Sequence, residues 1–214
     1  MNGANVISPE TINRIAKGDL TLFKEIVSKH KNAAYSLCLK ILKNPSEAED
    51  ALQESFIKLY GALISGKFEQ KSKFSTYFYS IVYNTSIDLY RKYYSKNFNL
   101  ISIDVTESNY KDGDELVRGF NITELRTESM DKSLRSNELS AIIREYLTSL
   151  PEQYSVILNL FYINELSLNE ISELLKLPEG TVKNRIFRAK AKLKELILKS
   201  YKEEELLEYL IPEN

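Results

Sequence analysis

Apolar residues recur along this chain at steps of three and four, the period of a helix with one buried face. Ser8-Pro9-Glu10 opens a first short segment, with a cap residue, Pro at the first position and an acid nearby; Ile12, Ile15 and Ala16 give its apolar face. Gly18-Asp19 interrupts it. Helical spacing then holds from Leu20 to Leu42, and Asn44-Pro45 ends it. Ser46, with Glu49 three residues on, predicts a capping box for a helix running to about Leu63. Gly61 to Lys73 is polar and basic, which suggests a loop or a broken helix, and Phe74 to Tyr94 is aromatic-rich and helical. No sustained period crosses residues 97–133, a polar and acidic stretch that predicts a flexible linker. Helical spacing returns over Leu134–Leu150 and Pro151–Ile163.

Leu166 to Leu196 reads LSLNEISELLKLPEGTVKNRIFRAKAKLKEL. Leu168, Ile171, Leu174 and Leu175 form one stripe, and Pro178 and Gly180 break it. From Thr181 a second stripe runs through Val182, Ile186, Ala189, Leu193 and Leu196. Two helices across a tight turn, the second one basic, is the layout of a helix-turn-helix. An acidic amphipathic tail, residues 201–214, follows. The expected fold is all-α: two small helical domains, 1–96 and 134–200, joined by the linker, the second a helix-turn-helix.

Composition narrows the chemistry. With 43% hydrophobic residues, seven Gly and five Pro, the 214-residue chain has cores to bury and few turns. One cysteine, Cys38, and one histidine, His30, exclude an internal disulfide, a cysteine-rich zinc site and a histidine-built metal or triad site. No metal-ligand spacing, phosphate-cradling Gly loop or nucleophile motif stands out, so no catalytic residue, metal or cofactor is expected. The absence of a long apolar run or signal peptide predicts a cytoplasmic protein with no membrane insertion.

Net charge is −1, so any surface for nucleic acid must be local. Thr181 to Lys199 carries seven basic residues and one acid, a balance of +6. Lys and Arg neutralise phosphates, while Arg and Asn can read base edges in a major groove. Thr181, Lys183, Asn184, Arg185, Phe187 and Arg188 lie on the turns that would reach deepest. Between Phe74 and Tyr94 stand eight aromatics, more than one face can bury, among Lys71, Lys73, Arg91, Lys92 and Lys96. Rings interleaved with cations suit unpaired nucleic acid, although a Tyr-rich core helix gives the same pattern. On the helix after Ser46, Asp50, Gln53, Glu54, Ile57 and Lys58 share a face that suits a basic protein partner.

In this order the segments resemble the extracytoplasmic-function (ECF) group of bacterial RNA polymerase sigma factors of the sigma-70 family. Leu150-Pro151-Glu152-Gln153-Tyr154, Leu168 to Leu175 and Pro178 to Arg185 are similar to the family's fourth region; Ala48 to Phe56 and Phe74 to Arg91 are similar to its second. The resemblance implies a chain that directs promoter recognition. It implies that Asp50, Gln53, Glu54 and Ile57 meet the clamp helices of core RNA polymerase, whose flap is a further contact. It places Phe74, Tyr77, Tyr83, Asn84, Arg91 and Lys92 toward the melted non-template strand of the −10 element. Thr181, Lys183, Asn184, Arg185, Phe187 and Arg188 then face the duplex −35 element. An anti-sigma factor is a further candidate partner. Relatives often carry Trp-Leu where Tyr77-Phe78 stands here, and a base at Ser80. The competing reading is a dimeric helix-turn-helix regulator that binds duplex DNA without acting as a sigma subunit. It leaves the aromatic segment and the acidic helix unexplained.

Overall fold

The computed structural model describes residues 7–69, 71–94, 146 and 149–199. Their regular secondary structure is helical, with no strand among the described residues. In chain order the helices are α1 (Pro9–Ala16), α2 (Leu20–Leu42), α3 (Pro45–Ile64), α4 (Phe74–Tyr94), α5 (Glu152–Leu158, continued as a π turn Asn159–Ile163), α6 (Leu168–Leu175) and α7 (Glu179–Leu198). Most of the expected helix at 134–150, the linker 97–133 and the tail 201–214 lie outside the described residues.

Two compact units divide the chain: residues 1–99 with Asn159–Leu177, and residues 100–158 with 178–214. In the first unit α2, α3 and α4 pack on one another and α1 closes against α2 and α3. Its core is assembled from the apolar stripes: Ile15, Leu37, Ile41, Leu59, Leu63 and Phe78 are fully buried. Two serines sit deep between these helices because each hydroxyl donates to its own helix, Ser55 Oγ to Ala51 O at 2.6 Å and Ser86 Oγ to Val82 O at 2.8 Å. Ala51, rather than the half-exposed Leu52, joins Ala48 and Ser55 on the buried side of α3, so small side chains let α3 approach its neighbours.

The π turn and α6 belong to this first unit and pack against α2 and α4. Asn159 Nδ2 donates to Ser36 Oγ at 2.7 Å, and Asn164 Nδ2 to Ala33 O at 3.1 Å. In the second unit α5 packs along α7, burying Val156, Ile157, Val182, Ile186, Ala189 and Leu193.

Several helix ends differ from expectation. Asn44, not Ser46, caps α3: its Oδ1 accepts from Ser46 N at 3.0 Å and Glu47 N at 3.4 Å, with Pro45 in the first turn, where a missing N–H costs nothing. Gly61 lies inside α3, which runs on to Ile64. Helix α7 begins at Glu179, two residues before Thr181, with Pro178 at its cap. Ser8 caps α1 as expected, and Gly18, at φ +99°, makes the turn that a side chain would strain.

Candidate polymerase and promoter interfaces

On α3 the outward stripe is set by helical spacing. Asp50, Gln53 and Ile57 are exposed, Ile57 at 72%. Glu54 is half-exposed and pairs with Lys58 Nζ at 2.8 Å one turn on. Gly61 and Ile64 continue the same stripe, so an acidic end grades into an apolar one. The opposite side of the helix carries Ala51, Ser55, Phe56 and Leu59 and is buried. An Ile this exposed beside carboxylates contributes little to the fold, since apolar burial is what stabilises a core.

Helix α4 divides its aromatics. Phe74 was expected to face DNA; it is instead a core residue, 4% exposed. Its ring stands edge-on to Phe68 at 5.9 Å and stacks with Phe78 at 6.3 Å, which leaves no face for a base. Phe78, fully buried, stacks on Phe56 at 5.1 Å and meets His30 at 5.7 Å. His30 is itself enclosed by Phe74, Phe78 and Tyr79, and this burial, with Lys29 nearby, holds its imidazole below its usual pKa. Cys38 is buried too, and burial pushes its thiol up to about 11, an inert state.

The other α4 residues expected to face DNA stay at least partly accessible. Tyr77 is half-buried with its ring 4.8 Å from Phe68, and burial raises its phenol pKa. Asn84, Arg91 and Lys92 are exposed. Tyr77, Asn84 and Arg91 recur every seventh residue, so at about 100° per residue they fall within about 40° of one line, about 21 Å long. Tyr83 lies about 100° round the helix from Asn84. It is half-exposed, and burial pushes its hydroxyl up to about 12 against the pull of Arg91. A neutral, partly buried tyrosine ring is suited to stacking rather than to charge contacts.

On α7 the predicted residues also separate. Lys183 and Asn184 are exposed, while Thr181, Phe187 and Arg188 are half-exposed. Arg185 is 9% exposed, so its guanidinium is not presented to solvent as the basic-face reading expected. Farther along, Glu195 accepts from Lys192 at 2.9 Å and pairs with Lys199 at 3.0 Å; these two lysines hold its carboxyl below the usual range.

One cluster was not singled out in the sequence. Glu170 closes a capping box on α6, its Oε2 accepting from Ser167 N and Ser167 Oγ, both at 2.7 Å. Its other oxygen, Oε1, accepts from Thr76 Oγ1 at 2.6 Å and lies 3.3 Å from Lys73 Nζ. Burial opposes ionisation here, but the hydrogen bonds from Thr76, Ser167 and Lys73 outweigh it and hold the carboxyl at about 2. The Ser-x-x-Glu spacing signals the cap; nothing in sequence ties it to residues more than 90 positions away. Among the described residues there is no group of three or more His, Cys, Asp and Glu side chains placed to hold a metal ion, and no helix long and apolar enough to cross a membrane.

Comparison with known proteins bears on what these surfaces serve. The sigma-70 region 2 family model matches residues 26–95, and the sigma-70 region 4 model matches residues 140–193. The chain is 37% identical over 183 residues to the ECF RNA polymerase sigma factor SigW of Bacillus subtilis, covering 86% of this chain and 92% of that protein. It is 32% identical over 180 residues to the ECF RNA polymerase sigma-E factor of Salmonella typhimurium, covering 84% and 88%. Among solved structures, CnrH in complex with the cytosolic domain of CnrY is similar in fold, with a TM-score of 0.56 at 20% identity over 89% of this chain and 97% of that one. The sigma factor RpoE of Bartonella quintana, in complex with the anti-sigma factor NepR, gives 0.52 at 17% identity over 84% and 98%. With regions 2 and 4 in order and relatives matched across most of their length, the chain belongs to the ECF group of sigma-70-family RNA polymerase sigma factors, which act in transcription initiation.

Proposed function

We propose that this sigma factor divides its work among three surfaces: α3 for core polymerase, α4 for the melted −10 strand and α7 for the −35 duplex. The first domain is residues 1–96 and the second residues 134–200, with 97–133 as tether. The observation that carries this reading is the sorting of side chains on α4. Phe74 and Phe78 are spent on the core, while Tyr77, Asn84 and Arg91 stay on one outward line. A line of ring, amide and cation fits unpaired bases on their backbone. On α7, base reading falls first to Asn184 and phosphate contact to Lys183, the exposed pair in the N-terminal turns, because Arg185 is buried in the free chain.

On α3, Asp50, Gln53 and Ile57 offer a carboxylate, an amide and an apolar anchor to a basic helical surface of the polymerase clamp. Sigma factors in general lend specificity rather than chemistry, and we assign this chain no active site and a cytoplasmic location. An anti-sigma factor is a further proposed partner: the structurally similar RpoE is held by one.

The test is run-off transcription on fragmented genomic DNA of the host, with core RNA polymerase and with or without this protein. Discrete start sites that appear only with the protein, sharing two upstream sequence elements, are the expected result. No gain in initiation, together with a footprint of the protein alone on duplex palindromes, would instead establish the dimeric regulator.

A further inference from the structure

The Glu170 carboxylate sits where α4 begins. Helix α4 spans 21 residues, and its first backbone bond runs from Tyr77 N to Lys73 O. Its opening turn therefore carries unpaired N–H groups and the positive end of the helix dipole. Lys73 adds a full charge, its side chain 65% exposed, and Thr76 adds a hydroxyl that donates to Glu170 at 2.6 Å. What marks the spot as an anion site is the anion already in it: a carboxylate only 12% exposed, bound by both side chains and kept ionised. A hydroxyl plus an ammonium at a helix start is equally the donor set for a phosphate oxygen. Lys73 and Thr76 also sit one turn or less before Tyr77, at the head of the line proposed for the unpaired strand.

We propose that Lys73 and Thr76 form a backbone-phosphate subsite for the melted promoter strand, and that Glu170 fills it in the free chain as an internal stand-in for that phosphate. The inference rests on α4 being the strand-binding helix. Geometry forces the exchange. Helix α6 is the first helix of the helix-turn-helix, which lies across the DNA backbone at the site its partner helix reads. In the proposed division of work α6 goes with α7 to the duplex −35 element, while α4 holds the melted −10 strand, a separate element of the promoter. Glu170 cannot keep a 2.6 Å contact with Thr76 while α6 lies at one element and α4 at the other. On a promoter the subsite is vacated as the strand arrives, so the same two donors serve the closed chain and the bound one.

The experiment is equilibrium binding of the full chain to a fluorescein-labelled oligothymidine of about 20 nucleotides, longer than the roughly 4–16 covered by such grooves, measured across a salt series. Glu170→Gln retains a capping-box residue but removes the competing charge, and is expected to bind about three- to tenfold tighter. Lys73→Ala is expected to bind about threefold more weakly, with a salt slope shallower by about 0.7, one phosphate's share for a single strand. Thr76→Val, which leaves the cap on α6 untouched, should weaken binding in the same sense. If Lys73→Ala and Thr76→Val tighten binding as Glu170→Gln does, the contact only closes the chain and the subsite is overturned. Unchanged affinity in all three overturns it as well. Tyr77→Ala separates the two readings: if it alone weakens binding, α4 still holds the strand and only the subsite is lost. If it too has no effect, the assignment of α4 fails with it.

Discussion

Neighbouring residues on α3 offer a sharp test of which side of that helix serves the fold and which serves the polymerase. Replacing Ile57 by Ala removes three carbons, each worth about 0.8 kcal/mol when fully buried, about 2.4 kcal/mol in all. Ile57 is 72% exposed in the free chain, so about 0.7 kcal/mol of this at most is realised in the fold and about 1.7 kcal/mol is left to gain on docking. The loss on docking corresponds to about 15- to 20-fold weaker binding. Phe56, one residue earlier, is buried and stacks on Phe78 at 5.1 Å with 26° between the rings. Its truncation to Ala empties core volume and should cost about 3–5 kcal/mol of stability. The assay pairs chemical denaturation of each variant with competition against a labelled sigma factor for core RNA polymerase. Ile57→Ala should denature near wild type and compete poorly. Wild-type competition by Ile57→Ala, or a stability loss matching that of Phe56→Ala, would refute the assignment of the exposed stripe.

Two further expectations concern α7 and the core of the first unit. Lys183→Ala should weaken promoter binding by the holoenzyme on all sequences alike and flatten the salt slope by about 0.9, whereas Asn184→Ala should lose about 1–3 kcal/mol at one base pair and relax its specificity; binding to a panel of singly substituted promoters distinguishes the two. His30 is held neutral by burial, with its pKa lowered from 6.5. An unfolded chain therefore binds a proton more readily there than the native one, so its contribution is present above pH 6.5 and is lost as pH falls through the native pKa. Denaturation of the wild type between pH 7 and pH 5 should show a decline that His30→Phe reduces, and equal slopes would contradict it.

The pattern of apolar residues by itself specified the helices of the described residues, the helix-turn-helix and the outward placement of Asp50, Gln53 and Ile57, because helical spacing converts directly into faces. The family was legible for the same reason: its motifs are runs of adjacent residues. Which of several equivalent aromatics on α4 would be buried was not fixed by spacing. Phe74 and Tyr77 lie one turn apart, and only the packing of Phe68 and Phe78 decides that Phe74 belongs to the core. Arg185 reads as part of a basic face until its burial is seen. The cap of α3 moved from Ser46 to Asn44 because both satisfy the local rule and backbone conformation chooses between them. Glu170 was legible as a capping acid, yet its second oxygen is committed to Thr76 and Lys73 on a distant helix. Such a contact depends on where two elements meet in space, and tertiary structure alone supplies that.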